Sequence, residues 1–341
     1  MTNQQETLLT VRGLKKYFPI QKGFLRRAAG MVRAVDGVDL ELAPGETLGV
    51  VGESGSGKTT LGRCIAKLYE VTGGEIVLNA GGETLSIPDL DRDQQKLFRR
   101  TVQTIFQDPY SSLNPRLNVL DTVGEPLLVN NLAKGRELED RVTETIRQVG
   151  LRVDYLRRYP HSFSGGQRQR IGIARALVVQ PRLVVADEPV SALDVSIQAQ
   201  ILNLLLDLQQ EYQLTYIFIS HAMSVVRYVS SRIAVMYGGK LVEMAPKTEL
   251  LENPKHPYTE TLLAAVPRAA AGRVRRRVVT SGEPPDPANL PSGCVFHPRC
   301  PYALDICRHE APTLEKSGGG TYVSCHRATE LRLQGISQSG Q

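Results

Sequence analysis

Residues Gly52-Glu53-Ser54-Gly55-Ser56-Gly57-Lys58-Thr59 constrain this chain more than any other stretch. They fit G-x-x-x-x-G-K-[ST] at every fixed position and follow the apolar run Thr47-Leu48-Gly49-Val50-Val51. A strand, a glycine loop and a helix in that order make a phosphate cradle. Glycine lets backbone N–H groups turn inward on a polyphosphate with no Cβ in the way. The helix opening near Lys58 aims its partly positive N-terminus at the same anion. In such a loop Lys58 reaches the β- and γ-phosphates, and the Thr59 hydroxyl ligates Mg²⁺. A bound nucleoside triphosphate is expected, a property that many unrelated machines share.

The 341 residues suggest two domains, or one large domain with an appendage. With 41% hydrophobic and 22% charged residues the chain has an ordinary globular composition. No apolar run approaches the roughly 18 residues of a membrane span, and Met1–Glu6 lacks the basic and apolar parts of a signal peptide. A cytoplasmic protein is expected. Net charge is mild, 41 − 35 = +6. The densest basic patch, Arg273-Val-Arg-Arg-Arg277, has no aromatic interleaving or recognition motif, so it reads as a solvated linker rather than a nucleic-acid contact. Of five cysteines, Cys64 reads as a small core residue, whereas the other four fall after residue 290.

Along the chain, Leu8–Arg12, Arg33–Leu42 and Thr47–Val51 read as strands, with a basic loop at Gln21–Met31. Phe18, or alternatively Tyr17, stands where an aromatic ring stacks on a base or simply covers the core. After a helix at Thr59–Tyr69 come a strand at Glu75–Leu78 and a polar stretch, Asn79–Asp93, expected as loop. The strand Val102–Phe106 ends in Gln107-Asp108-Pro109. Helices are predicted at Asn118–Asn130, at Glu137–Gly150 and from Ser164 to Val179; in the second, Leu138, Val142, Ile146 and Val149 recur at helical spacing. Strand Leu183–Ala186, helix Ser196–Tyr212, strand Thr215–Ser220, helix Met223–Val229 and strand Ile233–Tyr237 follow. This alternation predicts an α/β fold with a doubly wound parallel sheet and a helical insertion between about residues 108 and 180.

Two further motifs carry chemistry. Leu183-Val-Val-Ala-Asp187-Glu188 is an apolar strand ending in two acids, where Asp187 holds Mg²⁺ and Glu188 polarises the water that attacks a γ-phosphate. In Phe163-Ser164-Gly165-Gly166-Gln167-Arg-Gln-Arg170 a serine and two glycines open a helix, which makes either a second anion site or an ordinary capped helix.

The second stretch resembles the signature motif of ATP-binding cassette (ABC) ATPases, with Phe163 where leucine is commoner. The rest of the set stands in order: Phe18 as the adenine-stacking aromatic, Gln107 as the Q-loop glutamine, Asp187-Glu188 as the second acidic motif, Ser191-Ala-Leu-Asp194 as the D-loop and His221 as the switch histidine. The resemblance covers about residues 8–250. It implies a P-loop NTPase fold with a RecA-like core, an antiparallel β subdomain and a helical signature subdomain. It further implies that Gly52, Glu53, Ser54, Gly55, Ser56, Gly57, Lys58, Thr59, Thr60, Gln107 and Asp187 bind ATP, with Thr59, Gln107 and Asp187 on Mg²⁺. Glu188, His221 and Gln107 would serve catalysis, while Ser164, Gly165, Gly166 and Gln167 would contact ATP held by another subunit.

Past residue 250 the sequence turns proline-rich and irregular. Asn253–Pro267 and the stretch from Gly282 to Pro301 resemble the C-terminal extension of oligopeptide and dipeptide importer ATPases. That resemblance implies a motor subunit at the cytoplasmic face of a membrane. Its partners would be a second, non-identical ATPase, two permease subunits and an extracytoplasmic solute-binding protein, with no nucleic acid. The same motor for nickel, glutathione or a similar solute, or a soluble ABC ATPase acting on nucleic acid or ribosomes, are the alternatives. The four cysteines, Cys294, Cys300, Cys307 and Cys325, suit zinc or an iron–sulfur cluster, and their spacing selects neither. Four unligated thiols are the plainer reading. The resemblance implies a [4Fe–4S] cluster.

Overall fold

The computed structural model describes residues 7–22, 27–266, 282–283 and 285–336. The basic patch at 273–277 lies outside them. Strands β1 (Leu9–Lys22) and β2 (Arg27–Leu42) form a long antiparallel hairpin. Then come β3 (Thr47–Val51), α1 (Lys58–Ile65), β4 (Gly73–Ala80), β5 (Glu83–Ser86), α2 (Arg92–Thr101) and β6 (Val102–Ile105). The insertion holds α3 (Val119–Val129), α4 (Gly135–Gln148) and α5 (Gly165–Leu177). After it the chain alternates β7 (Leu183–Asp187), α6 (Val195–Tyr212), β8 (Thr215–Ser220), α7 (Met223–Val229) and β9 (Arg232–Tyr237). It then runs through β10 (Lys240–Pro246), α8 (Lys247–Glu252), α9 (Pro257–Ala264), α10 (Ile306–His309), β11 (Glu315–Lys316) and β12 (Tyr322–Val323).

Two sheets result. The antiparallel one has order β2-β1-β4-β5, and the larger one has order β11-β12-β10-β9-β3-β8-β7-β6. From β9 to β6 every pairing is parallel, while β10, β12 and β11 pair antiparallel. Every residue of β3, β7 and β8 is buried, as expected for strands covered on both faces. The two-residue period of a strand then divides their side chains between two cores. Leu183, Val185, Ile217 and Ile219 face the core shared with α1 and the antiparallel sheet. Val184, Ala186, Tyr216 and Phe218 face the core that continues into α3–α6. Within the insertion Val142 and Ile146 are fully buried, each contributing about 1.5–3 kcal/mol of apolar burial.

The structure corrects several expected elements. Residues 27–31 belong to β2, and β1 runs ten residues past Arg12 to Lys22, because bulges at Val11/Leu14 and beyond break the alternation that reveals a strand. Gly13 takes φ 53° at the first bulge, and its N–H donates to Asp39 Oδ1 at 2.7 Å. Asn79–Asp93 is not a loop: it holds the end of β4, all of β5 and the start of α2, which is capped by a box between Asp91 and Gln94. The region past residue 250 contains α9, opened by Pro257 in its first turn and by His256 Nδ1 accepting the Tyr258 N–H. It also adds two short strands to the main sheet through β10.

Candidate nucleotide site

Parallel strands present their carboxyl ends along one edge, and the site is built there. Register sets Val51 opposite Ser220, Asp187 opposite Ile219 and Ile105 opposite Ala186. The P-loop after β3, the acids at the end of β7, His221 after β8 and Gln107 after β6 therefore converge. Gln107, Glu188 and His221 line one cavity of about 510 Å³ together with Phe18, Ser54, Gly55, Gly57, Lys58, Thr59 and Thr60, while Asp187 reaches it through Thr59.

The loop itself is dictated by glycine. Gly52 and Gly57 take φ 157° and 99°, and a Cβ on either would lie about 2.1–2.2 Å from the Met236 or Ala34 carbonyl oxygen. Lys58 is buried and donates from Nζ to the Gly52 and Glu53 carbonyls, both at 2.8 Å, so the lysine holds the loop that surrounds it. Burial lowers its ammonium from the ordinary lysine value, opposed by the charges of Glu188, Asp187 and Glu53.

Thr59 donates from Oγ1 to Asp187 Oδ1 at 2.9 Å. Asp187 is 3% exposed; burial raises its carboxyl above the usual value, offset by the Thr59 hydroxyl and by Arg63, 3.8 Å away. Glu188 follows with φ 48°, a conformation costly for a residue with a side chain and held by its N–H on Ile219 O at 3.0 Å. Glu188 Oε2 accepts from Gln107 Nε2 at 3.0 Å and meets His221 Nδ1 at 3.2 Å. Three sequence motifs, 81 and 33 residues apart from Glu188, thus meet on one carboxylate oxygen.

Phe18 lines the same cavity, edge-on to Tyr69 with Lys16 Nζ 4.8 Å above its ring. Tyr17 instead donates its hydroxyl to Asp36 at 2.5 Å. Ser164, Gly165, Gly166 and Gln167 do not line the cavity. Ser164 caps α5 in a reciprocal box with Gln167, 3.4 Å and 3.1 Å, and α5 begins at Gly165. Gly166 is required because a Cβ there would lie 2.6 Å from Ile197.

Contacts from beyond residue 250 had no local signal. Pro287 lines the nucleotide cavity beside Val32 and Ala34. Tyr258, 205 residues from Glu53, accepts the Glu53 N–H at 2.8 Å. Arg299, 246 residues away, grips the Glu53 carboxylate at 2.8 and 3.1 Å.

Cys294, Cys300, Cys307 and Cys325 line one small cavity with His256, His297 and His326, and none is in a disulfide. Burial pushes the Cys300 thiol up to about 12 and the Cys325 thiol up to about 11, and neighbouring cysteines add to both shifts. Among the described residues no three His, Cys, Asp or Glu side chains are grouped so as to hold a metal ion. Cys64 lies on the buried face of α1, as expected of a core residue.

Comparison with known proteins agrees with this fold. Residues 35–191 match the ABC transporter family, and residues 242–307 match the oligopeptide/dipeptide transporter C-terminal region. The oligopeptide transport ATP-binding protein AppF of Bacillus subtilis is 51% identical over 325 residues, 94% of this chain and 98% of the relative. The chain belongs to the ATP-binding subunits of ABC transporters. The dipeptide transport ATP-binding protein DppF of Escherichia coli is 46% identical, with 94% of each chain covered. A solved dimeric ATP-binding cassette, in a post-hydrolysis state with ADP and Pi, superposes with TM-score 0.61 at 28% identity, covering 70% of this chain and 99% of the other. This ABC subunit is an ATPase. No helix among the described residues is long and apolar enough to cross a membrane.

Proposed function

We propose that this chain is the ATP-hydrolysing motor subunit of an importer for dipeptides or oligopeptides, acting at the cytoplasmic face of a membrane. The match of residues 242–307 to the oligopeptide/dipeptide transporter C-terminal region carries this reading, since cassette motifs alone are common to all ABC proteins. Relatives at 46–51% identity are named for peptide transport.

At the site, P-loop N–H groups and Lys58 bind the polyphosphate, and Phe18 stacks on the base. Thr59 and Asp187 offer a hydroxyl and a carboxylate already 2.9 Å apart, hard oxygen donors suited to Mg²⁺, and Gln107 lines the same cavity as Thr59. When bound, Mg²⁺ neutralises charge on the phosphates. Glu188, oriented by Gln107 and His221, accepts the proton of the attacking water. Most of the catalysis is positioning and electrostatic stabilisation. Ser164, Gly165, Gly166 and Gln167, which do not line their own cavity, serve ATP in a second cassette. That cassette is a different chain, and the pair drives two permease subunits supplied by a solute-binding protein.

The four cysteines line one cavity outside any disulfide and offer all-thiolate donor chemistry, although their side chains are not grouped as a metal site in this structure. A [4Fe–4S] cluster held by Cys294, Cys300, Cys307 and Cys325 would clamp a segment too irregular to build its own core. Purification from membranes tests the assembly: two permeases and a second, different cassette should accompany the chain. Recovery with ribosomes or nucleic acid instead would overturn the importer reading.

A further inference from the structure

Glu53 is the first variable residue of the P-loop, and all three of its polar groups are held. Its carbonyl accepts from Lys58 Nζ at 2.8 Å. Its N–H donates to Tyr258 Oη at 2.8 Å, and its carboxylate takes a two-pronged pair from Arg299 Nη1 and Nη2 at 2.8 and 3.1 Å. Two of these three anchors come from the C-terminal region. Arg299 is 9% exposed and Glu53 28%, so the pair is only partly screened by solvent. A two-pronged guanidinium–carboxylate pair fixes orientation as well as distance.

Arg299 is in turn backed by Tyr237, whose hydroxyl lies 3.2 Å from Nη1. Tyr237, Tyr258 and Phe296 pack as a triangle of rings with centroids 4.5, 5.1 and 5.4 Å apart. Phe296 also lines the cysteine cavity, and Arg299 directly precedes Cys300. A third link runs through Pro287, which lines the nucleotide cavity while its carbonyl accepts the Arg33 N–H at 3.1 Å. A continuous set of packed groups therefore joins the cysteine cavity to the phosphate loop.

We infer that Arg299 is a positioning residue for ATP binding: through Glu53 the C-terminal region holds the phosphate loop in its binding shape and sets the affinity for nucleotide. This rests on the cavity being the ATP site, and deepens that reading by adding a determinant outside the cassette motifs. Ordering the loop before the nucleotide arrives removes a cost that binding would otherwise bear. Because the contact precedes chemistry, its loss weakens ATP binding and leaves saturated turnover nearly intact. Lysine offers a single point charge in place of the fork, so Arg299→Lys recovers only part of the affinity.

The test measures ATP binding and steady-state hydrolysis on the full chain, with unfolding temperature in parallel. Arg299→Met should raise both the ATP dissociation constant and KM by roughly 5- to 30-fold. Its kcat should stay within about threefold of the parent. Glu53→Gln should weaken binding by a similar factor, and the double variant should be no weaker than the worse single one. Unchanged ATP affinity in Arg299→Met, even with a lowered unfolding temperature, would show Arg299 to be structural glue and overturn the inference. So would strictly additive losses in the double variant. If Arg299→Met does not fold, Glu53→Gln decides alone, and undiminished affinity there is equally contrary. Failure of the parent chain itself to bind ATP would instead contradict the nucleotide site, which keeps the two claims separable.

Discussion

Replacing Glu188 by glutamine removes one negative charge and almost nothing else. The backbone of this residue is anchored independently of its carboxylate: its N–H donates to Ile219 O, and its carbonyl accepts from the Ser191 N–H and Oγ at 3.2 and 3.1 Å. The glutamine carbonyl can take the place of Oε2 and accept from Gln107 as before. The left-handed φ of 48° is unaltered by an isosteric side chain. Fold and ATP affinity are therefore expected to persist, and only proton acceptance from water is lost. General-base catalysis contributes about 10²–10⁴-fold. Turnover at saturating ATP should fall by that factor, which raises the barrier by roughly 3–5.5 kcal/mol. Phosphate release measures the first quantity and titration with a fluorescent nucleotide measures the second. Turnover within about tenfold of the parent, with binding intact, would refute Glu188 as the base.

Other substitutions probe other parts. Ser164→Arg should leave ATP binding to a single chain unchanged but block ATP-driven pairing of cassettes, read by light scattering; normal pairing would place the signature outside the shared site. Gly57→Ala forces a Cβ onto the Ala34 carbonyl at a φ of 99°. It should abolish nucleotide binding and cost about 1–3 kcal/mol of stability in thermal unfolding. For the cysteine cavity, protein purified without oxygen should be brown and contain iron and sulfide, and Cys300→Ser should lose both along with thermal stability. Colourless protein holding one zinc per chain would exclude the cluster.

Much of the site was legible before folding because its chemistry sits in local motifs on elements that sequence describes well. The apolar run Leu183–Ala186 ends in its acids, and the strand Thr215–Ser220 and helix Met223–Val229 lie where their patterns place them. Parallel pairing then brings Gln107, Glu188 and His221 together without further instruction. The amino-terminal hairpin was less legible, since its bulges interrupt the two-residue period, and β5 is too short to show one. Tyr258, Pro287 and Arg299 could not be anticipated. Their partners lie over 200 residues away for Tyr258 and Arg299, and nothing in a proline-rich stretch marks a residue that will brace a distant loop.

The central claim, an ATPase motor for peptide import, is tested most directly by peptide uptake. Vesicles carrying the purified complex of this chain with its permeases and second cassette should accumulate labelled dipeptide or oligopeptide. Uptake should occur only when ATP is present on the cassette side, and it should fall to background when this chain carries Glu188→Gln. Assembled complex that hydrolyses ATP but takes up no peptide, or takes it up equally well with Glu188→Gln, would contradict the account.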